Sequence, residues 1–120
     1  MAFEVEEKFI PFPYNKHFKV SQYGRVKYKD KILLQTNKDG YLVVEITEKV
    51  HRLVALTWQN DKYEELNDKY KELGKNKEER PVVHHINDDK LDNKADNLEW
   101  KTDKEHKEIH NIKRMNSKNP

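Results

Sequence analysis

The chain has 120 residues, of which 34% are hydrophobic and 38% charged, with a formal net charge of +2 and no cysteine. That length supports one domain, or two very small modules sharing a thin core. The lack of cysteine excludes disulfides, thiolate zinc sites and a cysteine nucleophile, and agrees with a reducing cytoplasm. No apolar run approaches transmembrane length, and acidic residues stand among Met1 to Ile10 where a signal peptide would be basic, so the expectation is a soluble intracellular protein with no membrane partner.

In chain order, Phe18 to Ser21, Gly24 to Lys29, Ile32 to Gln35 and Tyr41 to Lys49 read as short strands rich in β-branched and aromatic residues. Tyr23-Gly24, Lys29-Asp30 and Asp39-Gly40 supply the turns between them. Leu42, Val44 and Ile46 alternate with more polar positions, as in an antiparallel sheet covered on one side. The cover is His51 to Trp58, where Leu53, Val54, Leu56 and Trp58 are too crowded for a half-exposed strand and predict a short buried helix. From Asp61 to Leu73, Tyr63, Leu66, Tyr70 and Leu73 recur at spacings of three and four, and Gly74 stands where a helix ends; this reads as a surface helix packed by one stripe. Lys75 to Arg80 is a charged linker and Pro81 opens the next strand. Thr102 with Glu105 forms a capping-box pattern at the start of a last helix, expected to fray near Met115, with a tail over 116–120. The fold class is α+β. The organisation is a sheet and short helix over 1–58, a helical insert and linker over 59–80, a hairpin and helix over 81–115, and the tail.

Four of the six histidines fall within the 27 residues from His84 to His110. Adjacent residues on a strand point to opposite faces, so His84 and His85 have different jobs: one can face a metal and the other substrate. His106 and His110, four apart on a helix, lie on one face and suit a single ion. If the hairpin folds the helix back across the strand, His84, His106 and His110 converge, and His85 stands beside them as an imidazole able to take a proton near pH 7. His17 and His51 read as surface or core-edge residues, His51 as one that packs or caps the helix it begins.

The string Val83-His84-His85-Ile86-Asn87, Asp92-Asn93-Lys94-Ala95-Asp96-Asn97-Leu98-Glu99-Trp100 and then His106 closely resembles the HNH nuclease motif. Upstream, Phe18 to Lys27, Gly40 to Val44 and His51 to Leu56 resemble the small module that precedes HNH in many phage and intron-encoded homing endonucleases. The resemblance covers about residues 9–58 and 81–110. It implies a ββα-metal fold, a hairpin and helix around one metal, following the α+β sheet unit, which in turn becomes a DNA-binding module.

By that resemblance His85 is the general base, with Asn97 completing the catalytic pair by bracing the hairpin loop and the His85 ring. His84 and His106 fall on metal-ligand positions, and His110 matches a third ligand seen in three-histidine variants among bacterial toxin nucleases. Asn93 and Asp96 read as turn-formers bonded to local backbone. Several homing relatives carry aspartate where this chain has His84. Imidazole at that position turns the preference for one divalent ion towards manganese, nickel, cobalt or zinc, with magnesium or manganese the ion in the cell.

Charge is segregated along the chain. Six lysines or arginines stand against one aspartate between Lys16 and Lys31, whereas Ile86 to Glu99 has five acidic residues against two lysines. Arg25, Lys27 and Lys29 alternate onto one face of the expected strand and join Lys19 as one candidate DNA surface; Lys107 and Arg114, near His110 on the last helix, form another. The expectation is therefore a metal-dependent endonuclease hydrolysing double-stranded DNA as a monomer or homodimer, in the cytoplasm of a bacterium or phage-infected cell. The alternatives are a non-catalytic DNA-binding or regulatory protein with a structural metal, and a ribonuclease.

Overall fold

The computed structural model describes residues 6–44 and 49–118, the backbone alone from residue 113 onward. Its first half is built from short antiparallel strands. β1 (Phe9–Phe12), β2 (Asn15–Ser21), β3 (Val26–Tyr28) and β4 (Lys31–Ile32) form one sheet in that order, and β5 (Gln35–Lys38) and β6 (Tyr41–Val44) pair as a separate hairpin. β1 is not among the strands expected from the sequence. Pro11 is tolerated because β1 is an edge strand, and the β1–β2 register shifts beside it. The strand expected over Ile32 to Gln35 is divided between β4 and β5, with Leu34 89% exposed between them, so its apolar run marks no buried strand. The expected strand to Lys49 runs to Val44; residues 45–48 lie outside the described ones, and Val43 bridges to Lys49.

The foreseen turns hold, with Lys29, Asp39, Gly24 and Gly40 all at positive φ. At Asp39-Gly40 both central residues are left-handed, the arrangement a tight hairpin demands. The early end of β3 corrects one surface assignment: Lys29 (φ 54) has turned out of the strand, so it does not continue the alternation of Arg25 and Lys27.

α1 (Val50–Trp58) lies where the crowded apolar segment predicted a buried helix, and buries Val50, Leu53, Val54 and Ala55. α2 (Asn60–Glu72) follows almost at once and has no buried residue; Tyr63 and Leu66 of its stripe pack against the core margin, and Gly74 beyond it is left-handed. A short 3-10 turn over Lys77–Glu79 lies within the charged linker and leads into β7 (Pro81–His85), which pairs with β8 (Leu98–Thr102). α3 (Asp103–Lys118) is the last element among the described residues and continues through 116–118 of the tail expected over 116–120, of which 119–120 lie outside the described residues.

One core joins the two halves: Phe18, Val20, Val26 and Val44 meet Leu53 and Val54 of α1 and Val83, Leu98 and Trp100 of the last hairpin. Both indoles are hydrogen-bonded, Trp58 Nε1 to the Val20 carbonyl (3.0 Å) and Trp100 Nε1 to the Ala55 carbonyl (3.2 Å). Gln59 ties α1 to the hairpin by donating to the carbonyls of Ala95 (2.9 Å) and Leu98 (2.7 Å). No helix of the described residues is long and apolar enough to cross a membrane.

Candidate active site

The β7–β8 register sets His84 opposite Glu99 and His85 opposite Leu98, so the two histidines leave the strand on opposite faces. His84 meets α3, its ring centroid 5.5 Å from His106 and 6.2 Å from His110. His85 turns towards α1 and β6, 5.1 Å from His51 and 6.4 Å from Tyr41.

The start of α3 is fixed by its cap. The Thr102 hydroxyl accepts from the Glu105 amide (3.1 Å), and Glu105 Oε1 accepts from the Thr102 amide (3.0 Å). The Thr102 amide, and its hydroxyl at 3.1 Å, donate to Glu105 Oε1 and hold that carboxyl below the ordinary carboxylate range. With the first turn set, His106 and His110 project together and their Nε2 atoms lie 3.1 Å apart. One ring nitrogen from each of His84, His106 and His110 falls within 4.8 Å of the others. Two nitrogens on one tetrahedral ion at ordinary bond lengths stand about 3.3 Å apart, so this donor set fits a divalent transition metal with a coordination position left over. Burial, then the neighbouring His110 and His84, hold the His106 pKa below its usual value, which keeps its lone pair available.

On the other face, His85 Nε2 lies 2.9 Å from Asn93 Oδ1, and both side chains are buried. An amide oxygen accepts from Nε2–H, which leaves Nδ1 as the nitrogen with a lone pair. Asn93 is therefore more than the turn-former expected of it. Asn97 bonds within the loop: Nδ2 donates to Asn87 Oδ1 and the Asp92 carbonyl (both 2.9 Å), and Oδ1 accepts from the Asn87 amide (3.1 Å), whereas the bond expected from it to the His85 ring is made by Asn93. The ring of His85 is held by Asn93, whose position in the loop Asn97 secures. His51, expected to pack or cap, packs directly on His85.

A cavity of about 360 Å³ opens over the four histidines, lined also by Tyr41, Asp88 and Lys90. Lys90, which sequence reasoning passed over because it lies in an acidic stretch, rests 5.0 Å from the Tyr41 ring centroid at this opening.

The remaining candidate residues divide. Lys19 and Lys27 are direct partners across β2–β3 and share one face, with Arg25 (5.9 Å) and Lys27 (4.2 Å) over the Phe9 ring. Glu7 pairs with Arg25, and that pairing lowers the Glu7 pKa. Lys29 instead lies over Tyr28 (5.6 Å). Lys107 pairs with Asp103 one turn back (3.2 Å), and the Arg114 side chain lies outside the described residues.

A family model described as HNH endonuclease matches residues 70–108, the span that holds β7, the loop, β8 and His106. Two uncharacterized HNH endonucleases of Acanthamoeba polyphaga mimivirus are similar to the chain. One is 41% identical over 105 residues, covering 79% of this chain and 23% of that protein; the other is 32% identical over 114 residues, covering 87% and 30%. The chain thus spans less than a third of either viral relative. Among solved structures, one described as DNA binding and cleavage by the HNH homing endonuclease I-HmuI superposes with a TM-score of 0.60 at 27% identity, over 88% of this chain and 59% of that one. The histidine-bearing hairpin and helix, matched in family model, sequence and fold, are an HNH endonuclease domain.

Proposed function

We propose that the chain hydrolyses phosphodiester bonds of double-stranded DNA, with His85 as general base and one divalent ion held by His84, His106 and His110. The observation that carries this is the division of labour across β7, with a three-imidazole cluster on one face and, on the other, an imidazole fixed through Nε2. Cleavage and DNA binding described for the homing endonuclease support the choice of substrate.

With Nε2–H engaged by Asn93, the free Nδ1 of His85 takes the proton from a water attacking phosphorus in line with the departing 3′ oxygen. A bound divalent ion supplies the positive charge that offsets the charge growing on the phosphate and leaving group. Asn97 keeps the loop closed so that Asn93, and with it the base, keeps its place. Lys90 at the cavity mouth is placed to meet a phosphate next to the cut. Lys19, Arg25 and Lys27, with Lys107 and Arg114, hold the flanking backbone electrostatically.

The test is cleavage of supercoiled plasmid in magnesium, manganese, nickel or zinc by the wild type and by His85→Ala. Open-circle or linear product is expected from the wild type and not from His85→Ala, with metal binding preserved in the variant. A wild type that binds duplex DNA but cuts none in any ion would establish the non-catalytic alternative, in which the metal is a staple.

A further inference from the structure

The face of β7 that carries His85 is closed by side chains from the first half of the chain, outside the hairpin and helix of the nuclease motif. His51 of α1 lies on the His85 ring at 5.1 Å and 46°, and Tyr41 of β6 stacks on His51 at 5.1 Å and 27°. His51 is 8% exposed and His85 6%, so the contact is shielded from water. The other restraint on His85 leads back to the same half. Asn93 is backed by Gly24 so closely that a Cβ on that glycine would come within 3.0 Å of the Asn93 carbonyl oxygen, and the Ala95 amide donates to the Gln22 carbonyl (2.7 Å).

We propose that His51 and Tyr41 are positioning residues for the general base, so that the sheet and helix of the first half complete the catalytic site as well as holding DNA. The proposal rests on His85 being that base. An imidazole held by one hydrogen bond can still swing about its side-chain torsions, and a second ring packed at a tilt against it narrows that freedom. Misplacing a catalytic group by about 1 Å can cost on the order of a hundredfold in rate, so a packing residue can matter as much as a hydrogen bond. Burial, reinforced by the charges of His85, Lys49 and Arg52, pushes the His51 pKa down to about 3. What it supplies is a flat, uncharged ring, backed by that of Tyr41, on which Lys49 (4.5 Å) and Lys90 (5.0 Å) rest.

The experiment compares His51→Ala, His51→Phe and Tyr41→Ala with the wild type in the full chain, reading kcat and KM for plasmid cleavage in manganese, thermal stability, and the ring signals of His85 in histidine-labelled protein. His51→Ala is expected to lower kcat by roughly ten- to a hundredfold with KM within about twofold, and His51→Phe, which restores a ring, to recover most of the loss. The His85 ring signals should shift or broaden in His51→Ala and stay close to wild type in His51→Phe. Unchanged kcat in His51→Ala overturns the proposal. So does an equal loss in the alanine and phenylalanine variants, since it would mean that an imidazole nitrogen is required. Should His51→Ala fail to fold, Tyr41→Ala, at a half-buried position, is read in the same way. If the wild type cuts no duplex, the endonuclease reading fails, while undisturbed His85 signals in His51→Ala would separately refute the stack.

Discussion

His85 and Asn93 meet across the loop between β7 and β8, the imidazole Nε2 2.9 Å from the amide Oδ1, with 6% and 5% of the two residues exposed. The bond selects one tautomer of a ring that has two. Asn93→Ala removes the acceptor and is expected to lower kcat by about ten- to a hundredfold with DNA affinity unchanged, as for loss of an orienting partner. Asn93→Asp keeps an acceptor for Nε2–H and should retain far more activity than the alanine variant. Steady-state kinetics beside a binding isotherm checks both, and equal activity in wild type and Asn93→Ala would remove Asn93 from the mechanism.

Three imidazoles around one position predict an order of metal affinities. Nickel, cobalt and zinc should bind more tightly than manganese, and manganese more tightly than magnesium. His84→Ala, His106→Ala and His110→Ala should each weaken binding in a calorimetric titration by at least about tenfold, since each removes one of the clustered nitrogens. Undiminished affinity in His110→Ala alone would reduce the centre to two histidines. Binding to the folded chain should also raise its stability, by about 2.7 kcal/mol when the free ion is a hundred times its Kd, and a chelator should reverse the gain.

How much of this arrangement could be read from the residues depends on range. The split between His84 and His85 follows from strand alternation, and the pairing of His106 with His110 from helical spacing, so both were legible once the strand and helix were recognised. The capping box was legible for the same reason. β1 was hidden because a proline argues against a strand unless the strand is known to be an edge, which only the assembled sheet reveals. Asn93, His51 and Tyr41 were not assigned to the base because their contacts with His85 are made by tertiary packing, and no local pattern in their own segments encodes it. The one usable hint was a histidine near the head of a helix whose other buried positions are mostly apolar, where a leucine would have packed at less cost.

Gly24 gives a direct test of how the two halves fit. Its φ of 92 is a conformation that side chains disfavour, and an added Cβ would press on the backbone oxygen (3.0 Å) and Cβ (3.2 Å) of Asn93. Gly24→Ala is expected to destabilise the chain by more than about 1 kcal/mol in urea unfolding, and to lower kcat by displacing Asn93. Loss of stability with kcat intact would show that the loop absorbs the displacement without moving the base.

The capping box makes stability depend on acid. Glu105 is held below the ordinary carboxylate value by its bonds to Thr102, so it is a group whose folded pKa is depressed. Its contribution is fully present above the unfolded carboxylate pKa and is lost as pH falls through the lower, folded one. Thr102→Ala is expected to cost about 1 kcal/mol and to remove part of this acid sensitivity. Since the cap sets the turn that presents His106, the variant should also bind metal more weakly at neutral pH. Urea denaturation from pH 3 to 7, with a zinc titration at pH 7, measures both.

Lys19 and Lys27 face each other across β2–β3, a like-charge pair whose mutual repulsion an anionic partner lying over it would relieve. If that partner is the DNA backbone, replacing both with glutamine removes two phosphate contacts. The slope of log affinity against log salt should then become shallower by about 1.8, at roughly 0.9 per phosphate on duplex DNA. Affinity should fall by similar factors on unrelated sequences, because phosphate contacts carry no base information. The Lys107→Gln variant provides a comparison, as its ammonium is partly committed to Asp103 and its removal should change the slope less. A slope unmoved by the Lys19 and Lys27 replacements would shift the backbone contacts to the cavity rim and α3.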